Sequence, residues 1–438
     1  MVFVLVSTVF CGDTLGREMP GGNSDIMVRP GLQADRDARS VTLLAKSTGL
    51  IPSGNPPEFI LVAPNSGHDY ESIAVSQARA GDLHDALVFI GMPEGRACDP
   101  AALRFWPKGE RVVVTFRWTA ADGSTTREAK AEQLLRDNRL SGPSPNSDWV
   151  FVSERRAGEA GHTNRMACAA DALEPNSIIS TYNEPATVLD VPRKAQQGTE
   201  YGHILLNPEN LIPANAAIEV RIRPEDTNGV RRVVDMDLNI RPGTGKDSAP
   251  VFDLRDGKAL NLKGATINEA LRVFSDLNDA GKDPFVAISF DAALTAEQVR
   301  SVSGVISAIE TEKGIRAEPP PADQLFYRAF LPEEKNRDRQ QRLAQPWEVR
   351  FEHDGNGVKT TLIQIKESWP EQGIKPDLTV ETVPTPKPED LKRALAERGP
   401  GMPVILAFVP GDLRYGEIMR FLGPLLPEYG TVFVFVEK

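Results

Sequence analysis

One short stretch of the 438-residue chain carries side chains that could transfer protons or bind a ligand. A carboxylate beside an imidazole can hold the histidine ready for either role. Alternatively, Glu71 and Ser72 satisfy backbone groups of a turn, and His84 lies on the surface. The candidate ligand-binding residues are His68, Tyr70, Glu71 and Ser72, beside Asp69 at the start of a strand, and His84 on the helix that follows.

Elsewhere the sequence has no local pattern that is typical of catalysis. Its 5 histidines are scattered without an HExxH motif, so no metal site is predicted. No GxSxG elbow surrounds a serine. Residues 243–248 lack the first glycine of a phosphate-binding loop, and residues 354–357 (DGNG) lack the later ligands of a calcium loop, which favours a linker and a hairpin turn. We therefore predict no catalytic residue and no cofactor.

The cysteines leave two alternatives open. Of 3 in the chain, Cys11 lies in an apolar N-terminal run, which leaves Cys98 and Cys168. A disulfide between these two would close a long loop and stabilise an exported fold by roughly 4 kcal/mol. Alternatively, the two cysteines are separate buried thiols, which is equally consistent with there being two of them.

Composition indicates a globular, exported chain of several domains. Hydrophobic residues at 40% and charged residues at 25% allow several cores. A net charge of -11, without a basic stripe interleaved with aromatic residues, predicts no nucleic-acid partner. Residues 1–11 are apolar and uncharged, which is typical of a signal-peptide core, with a buried strand as the alternative. We expect a periplasmic or secreted protein whose mature chain does not span the membrane.

The elements that must position the candidate residues form a mixed β domain over residues 40–245, after a signal-like and disordered leader over residues 1–39. Leu83, Ala86, Leu87 and Ile90 recur at helical spacing, so a helix follows the candidate cluster. Residues 129–138 are predicted as a short helix. Residues 217–223 and 233–239 are predicted as the last pair of strands.

Beyond residue 250 the order strand, helix, strand, helix, strand occurs twice, over residues 250–318 and 322–438. The second copy adds a hairpin, residues 347–353 against 358–366. Residues 325–345 carry alternating charges and are predicted as a solvated helix. The predicted fold class is α+β: a mixed β domain followed by two small α/β sandwich modules.

Four separated motifs carry a family resemblance in the first domain: residues 68–92 (HDYESIAVSQARAGDLHDALVFIGM), 148–153 (DWVFVS), 176–192 (NSIISTYNEPATVLDVP) and 214–223 (ANAAIEVRIR). In this linear order they resemble the bacterial YdjY-type domain over about residues 40–223. The resemblance implies an exported domain and defines no activity.

The last two modules resemble the periplasmic module of ExbD/TolR biopolymer-transport proteins. The motifs are INEALRVFSDL and PFVAISFDAALTAEQVRSVSGVISAIETEKGI within residues 250–318, and VILAFVPGDLRYGEIMRFLGPL within residues 387–437. Members of that family carry an N-terminal transmembrane helix with the ionisable carboxylate of a proton path, and no segment here corresponds to it. The resemblance therefore implies partner binding and not proton-driven force.

These observations predict a non-catalytic interaction or scaffold protein of the cell envelope. The apolar strand at residues 431–436 must be covered by its own domain or by a partner, and an envelope protein or peptide strand could pair with it. The alternative is a hydrolase or small-ligand enzyme that uses residues 68–72 with His84. A deep polar pocket around those residues would favour this alternative.

Overall fold

The computed structural model describes residues 25–99, 104–140, 149–153, 155–157, 166–172, 175–226, 228–245, 248–313, 315–318, 346–355, 357–368, 377–397, 404–425 and 431–437. The predicted α+β class is confirmed, with an N-terminal β domain and two later α/β sheets. The signal-like segment, with Cys11, and the predicted solvated helix at 325–345 lie outside the described residues. Within the part of the chain that is described, no helix has the length and apolar character needed to cross a membrane.

The first domain is built mainly from short strands. In chain order its elements are β1 (Ile26–Arg29), β2 (Leu32–Asp35), β3 (Ser40–Ser47), β4 (Phe59–Val62), β5 (Ser72–Ser76), α1 (Ala80–Phe89), β6 (Arg111–Thr119), β7 (Thr126–Lys130), β8 (Leu135–Asp137), β9 (Trp149–Phe151), β10 (Arg155–Ala157), β11 (Met166–Cys168), α2 (Ala169–Ala172), β12 (Ser177–Ser180), β13 (Thr187–Asp190), α3 (Gln197–Glu200), β14 (Ile204–Leu206) and β15 (Ala217–Pro224).

A closed barrel forms the centre of this domain. An 11-stranded sheet contains the run β3-β15-β6-β9-β13-β12-β4-β5, and β5 pairs back with β3. Closure satisfies the backbone groups that an open sheet leaves at its edges. Helix α1 contacts both β3 and β13, which lie on opposite sides of this ring, so it covers one end. Trp149, Phe59, Phe116 and Phe151 are among the largest fully buried side chains.

Three local predictions for this domain are wrong. Residues 26–35 are not disordered, because β1 and β2 form a hairpin whose Leu32 and Ala34 are buried in the barrel core. Residues 129–138 are not a helix, because the chain makes a 3-10 turn at Ala131–Leu134 and then β8 pairs with β14. Tertiary pairing outweighs local helix propensity there. The predicted last strand pair does not form, because β15 pairs with β3 and β6.

β16 (Val233–Arg241), the strand predicted to pair with β15, is instead the central strand of the next sheet. The first α/β module contains β16 (Val233–Arg241), β17 (Val251–Arg255), β18 (Asn261–Ala265), α4 (Ile267–Asp279), β19 (Asp283–Phe290), α5 (Ala296–Lys313) and β20 (Arg316–Glu318). The second contains β21 (Pro346–Asp354), β22 (Gly357–Ser368), β23 (Asp377–Thr385), α6 (Pro388–Ala396), β24 (Val404–Pro410), α7 (Tyr415–Leu422) and β25 (Thr431–Glu437).

The two modules share one topology. Their sheets run β18-β17-β16-β19-β20 and β23-β22-β21-β24-β25, with the first three strands antiparallel and the last three parallel. Equivalent loops also join them: Ala296 N donates to Leu413 O at 2.8 Å, and Tyr415 N donates to Leu294 O at 2.7 Å. Their buried apolar residues form one continuous core. The modules are therefore related by an approximate two-fold axis within one chain.

The barrel domain is attached to the first module through ion pairs and apolar contacts. Asp283 at the start of β19 lies 3.4 Å from Arg111 of β6 and 3.2 Å from Arg316 of β20, and Arg232 approaches to 3.8 Å. We call these four residues the Asp283 cluster. Phe105, which precedes β6, is buried in the core of the modules.

Candidate functional site

The candidate residues lie on a 3-10 turn, Asp69–Glu71, between β4 and β5. His68 Nδ1 donates to Glu71 Oε1 at 2.6 Å, and the Tyr70 side chain is close enough to Glu71 to be affected by its charge. The negative charge of Glu71 raises the pKa of Tyr70. The His68 ring packs edge-on against Phe59 of β4. The sequence prediction that these side chains lie together at the start of a strand is therefore matched by the geometry.

Ser72 is placed for structure and not for attack on a substrate. Its Oγ donates to the His68 carbonyl at 2.5 Å, and the side chain is fully buried. A nucleophilic serine needs its hydroxyl on a base and open to substrate. The His68 imidazole instead contacts Glu71, so no serine–histidine pair exists at this turn.

His84 lies in a different environment. It is fully buried on α1, its Nε2 is 2.9 Å from Glu94 Oε1, and its ring packs edge-on against Phe151 of β9. Neither contact belongs to the turn at residues 68–72, so the structure does not bring the two histidines into one site. The alternative that His84 lies on the surface is also wrong.

A group of acids beside the turn was missed by sequence reasoning. The Tyr182 side chain lies near Glu58 and Glu184, and burial raises the pKa of Tyr182. Burial likewise raises the pKa of Glu184. Glu58 precedes β4 and the other two follow β12, strands that pair only in the folded chain. No spacing along the sequence could indicate this group.

An open groove of about 550 Å³ lies beside the turn. Asp69 and Tyr70 line it on one side and the loop after β3 lines it on the other, whereas His68, Glu71 and Ser72 do not reach it. Tyr70 is 57% exposed. The site is thus a surface groove and not the deep pocket that an enzyme built on residues 68–72 would need.

The structure has Cys98 and Cys168 as two separate buried thiols, which is the second of the two alternatives. Cys168 Sγ lies 3.0 Å from Ser153 Oγ. Burial raises the pKa of both thiols, so the reactive thiolate is disfavoured. Among the described residues, no group of three or more His, Cys, Asp and Glu side chains could hold a metal ion.

The other candidate surface is the outer edge of the second module. Among the residues that the structure describes, strand β25 pairs only with β24, which makes it the last strand of its sheet. Phe435 is 46% exposed, and its ring stacks on Phe408 with the centroids 5.1 Å apart. Arg350 lies over the Phe408 ring at 4.9 Å and 3.7 Å from Glu437. An apolar strand edge with a charged rim is the geometry that accepts another strand.

Fold and surfaces together define an α+β protein in which a closed mixed barrel precedes two α/β modules of the same topology. Residues 32–191 match the family model of the YdjY domain, which confirms the resemblance for the barrel domain. No curated protein matches the chain. The ExbD/TolR resemblance of the two modules stays a prediction.

One solved structure is similar in part: a Bacteroides thetaiotaomicron protein described as having an actin-like ATPase fold and unknown function. It is 10% identical, and the alignment covers 46% of this chain and 90% of that one, with a TM-score of 0.14. A score this low carries no argument about fold or function.

Proposed function

We propose that this protein is a non-catalytic interaction protein of the cell envelope, whose last strand pairs with an extended apolar segment of an envelope partner. The observation that carries the proposal is the edge position of β25 together with the exposure of Phe435. Backbone hydrogen bonds along the edge would supply affinity, and the alternating side chains would supply selectivity.

The two faces of β25 differ in a way that suits this role. Val432 is buried, and Val434 and Val436 pack against the core of the modules. Phe433 and Phe435 point to the opposite face, because successive side chains alternate along a strand. An added strand would therefore extend both the core and the row of aromatic side chains.

In the described part of the first module, no edge is comparably apolar. Its last strand, β20, places Glu318 opposite Ala287, where the second module has Phe433 opposite Leu406. Glu318 forms an ion pair with Arg96 of the barrel domain, so this edge is occupied within the chain. The first module thus has a paired glutamate, Glu318, at the position where the second module has Phe433. This difference makes the edge of the second module the apolar one.

The alternative, a small-ligand enzyme at the turn, is supported only by the groove beside Tyr70. The contacts of Ser72 and the separate environment of His84 argue against it. The groove itself argues for binding without chemistry.

A photo-crosslinking residue at position 435, in cells that express the full chain, tests the interaction. Position 380 is the matched control, because Val380 is 63% exposed on β23 at the opposite edge of the same sheet. We expect a crosslink from position 435, and not from 380, to an apolar extended segment of another envelope protein. Adding that purified partner should then protect the β25 amides from hydrogen exchange.

Three results would contradict the proposal. Full protection of the β25 amides in the isolated monomer would show that the edge is already covered. A crosslink only to a second copy of this chain would replace the partner with self-association. Equal crosslinking from positions 435 and 380 would show that the edge has no selectivity.

A further inference from the structure

The groove beside Tyr70 carries an inference that is independent of strand β25, because the groove lies on the barrel domain. Its floor and walls combine apolar surface with polar side chains: Val75, Leu50 and Ile51 with Lys46, Asn55 and Asn215, opposite Asp69 and Tyr70. At about 550 Å³ it has the size of a ligand site. We propose that this groove binds a neutral, polyhydroxylated ligand, namely a short stretch of a glycan chain.

The polar side chains around the groove are free to bind. In the part of the chain that the structure describes, the side chains of Lys46, Asn55, Asp69 and Asn215 make no hydrogen bond or ion pair. Together they offer ammonium and amide donors and amide and carboxylate acceptors. Sugar hydroxyls both donate and accept, so they can satisfy such a mixed set. Lys46 and Asp69 cancel in charge, which favours a neutral ligand over an acidic or basic one.

Tyr70 supplies the apolar platform. Its ring stacks on the His68 ring, with the centroids 6.1 Å apart and an interplanar angle of 28°, and His68 is itself held by its hydrogen bond to Glu71. The side chain is therefore held in place although it is 57% exposed. A fixed aromatic face loses little conformational entropy on binding. The apolar C–H face of a sugar ring can stack on it while the sugar hydroxyls reach the amides.

Backbone groups argue against a peptide ligand. Ser47 N donates to Ala216 O and Thr48 N donates to Ile73 O, at 3.0 and 3.1 Å. Gly49 N donates to the Ser47 hydroxyl at 3.2 Å. These amides on the groove wall are thus already used, so an extended peptide finds no free strand edge there. Along residues 47–49 recognition has to come from side chains, which suits a glycan better.

Calorimetric titration of the full chain with neutral tetrasaccharides, cellotetraose and chitotetraose, tests the proposal. Tetragalacturonate and tetra-alanine are the acidic and peptide comparisons. We expect a neutral tetrasaccharide to bind more tightly than either comparison. Tyr70→Ala should weaken this binding at least about tenfold, whereas Tyr70→Phe, which keeps the ring, should stay within about threefold.

Tyr201→Ala is the matched control, because Tyr201 is 54% exposed and does not line the groove. It should leave binding unchanged, and an unchanged melting temperature for all three variants separates binding from folding. The proposal is overturned if no neutral tetrasaccharide binds below about 10 mM. It is also overturned if tetra-alanine binds more tightly, or if Tyr201→Ala weakens binding as much as Tyr70→Ala.

Discussion

Gly416 donates its backbone N–H to the carbonyl of Ala292 at 2.9 Å, and this bond joins the second α/β module to the first. A Cβ atom on Gly416 would lie 2.9 Å from the Cβ of Ala292, closer than two carbon atoms tolerate. The second residue of α7 is therefore a glycine at this contact between the two modules.

Gly416→Ala should destabilise the protein by about 1–3 kcal/mol, because the added methyl group forces the joined loops apart. Gly304→Ala is the control: Gly304 lies in α5 with open space around its Cα. That change should stabilise the protein by about 0.5–1 kcal/mol through helix propensity. Urea unfolding measures both. A gain in stability for both variants would show that the contact does not restrict the modules.

The Asp283 cluster should hold the barrel domain to the first module. Asp283→Asn removes the carboxylate that the three arginines share, and it should cost roughly 3 kcal/mol because Arg316 and Arg111 are largely buried. Asp237→Asn is the matched change, since Asp237 pairs with Arg255 at 3.1 Å on the exposed surface. It should cost less than about 0.5 kcal/mol. Denaturant unfolding measures both variants. Equal losses in the free energy of unfolding would refute the role of burial.

Asp190 should make stability fall as pH rises. It is fully buried, and burial raises its pKa well above the usual value. Between the unfolded and folded pKa values the native state binds more protons than the unfolded state, so stability decreases with pH across that interval. Asp190→Asn removes the charge and should make the protein more stable at pH 7, with a flatter pH profile above pH 4.

Unfolding curves from pH 4 to 8 check this sign. Asp412→Asn is the control, because the exposed His353 lowers the pKa of Asp412 through a hydrogen bond and its removal should change little. If Asp190→Asn lowers stability at pH 7, the ionised carboxylate is itself stabilising and the expected sign is wrong.

The two buried cysteines should be unreactive until the protein unfolds. In a Cys11→Ser variant purified without reductant, a thiol reagent should modify neither Cys98 nor Cys168 under native conditions. Both should react in guanidinium. If no thiol reacts in guanidinium until the protein is reduced, Cys98 and Cys168 form a disulfide, which would contradict two separate thiols.

Local pattern was sufficient for the elements whose periodicity lies within one segment. The order strand, helix, strand, helix, strand that the sequence predicts after residue 250 is present in both modules. The hairpin of β21 and β22 likewise follows from the DGNG turn between two alternating strands. The candidate turn at residues 68–72 was also visible, because its residues are neighbours in the chain.

Tertiary structure alone decided which strands pair and which distant side chains meet. β16 pairs with β17 and β19 of the first module and not with β15, the strand before it. β5 closes the ring on β3, and Tyr182 lies near Glu58, which is far from it in sequence. The amino-acid sequence by itself determined most of the local elements, because those depend on neighbouring residues, but at residues 129–138 the pairing of β8 with β14 replaced the predicted helix. Strand pairing depends on which apolar faces find a common core, and that is settled only when the whole chain packs.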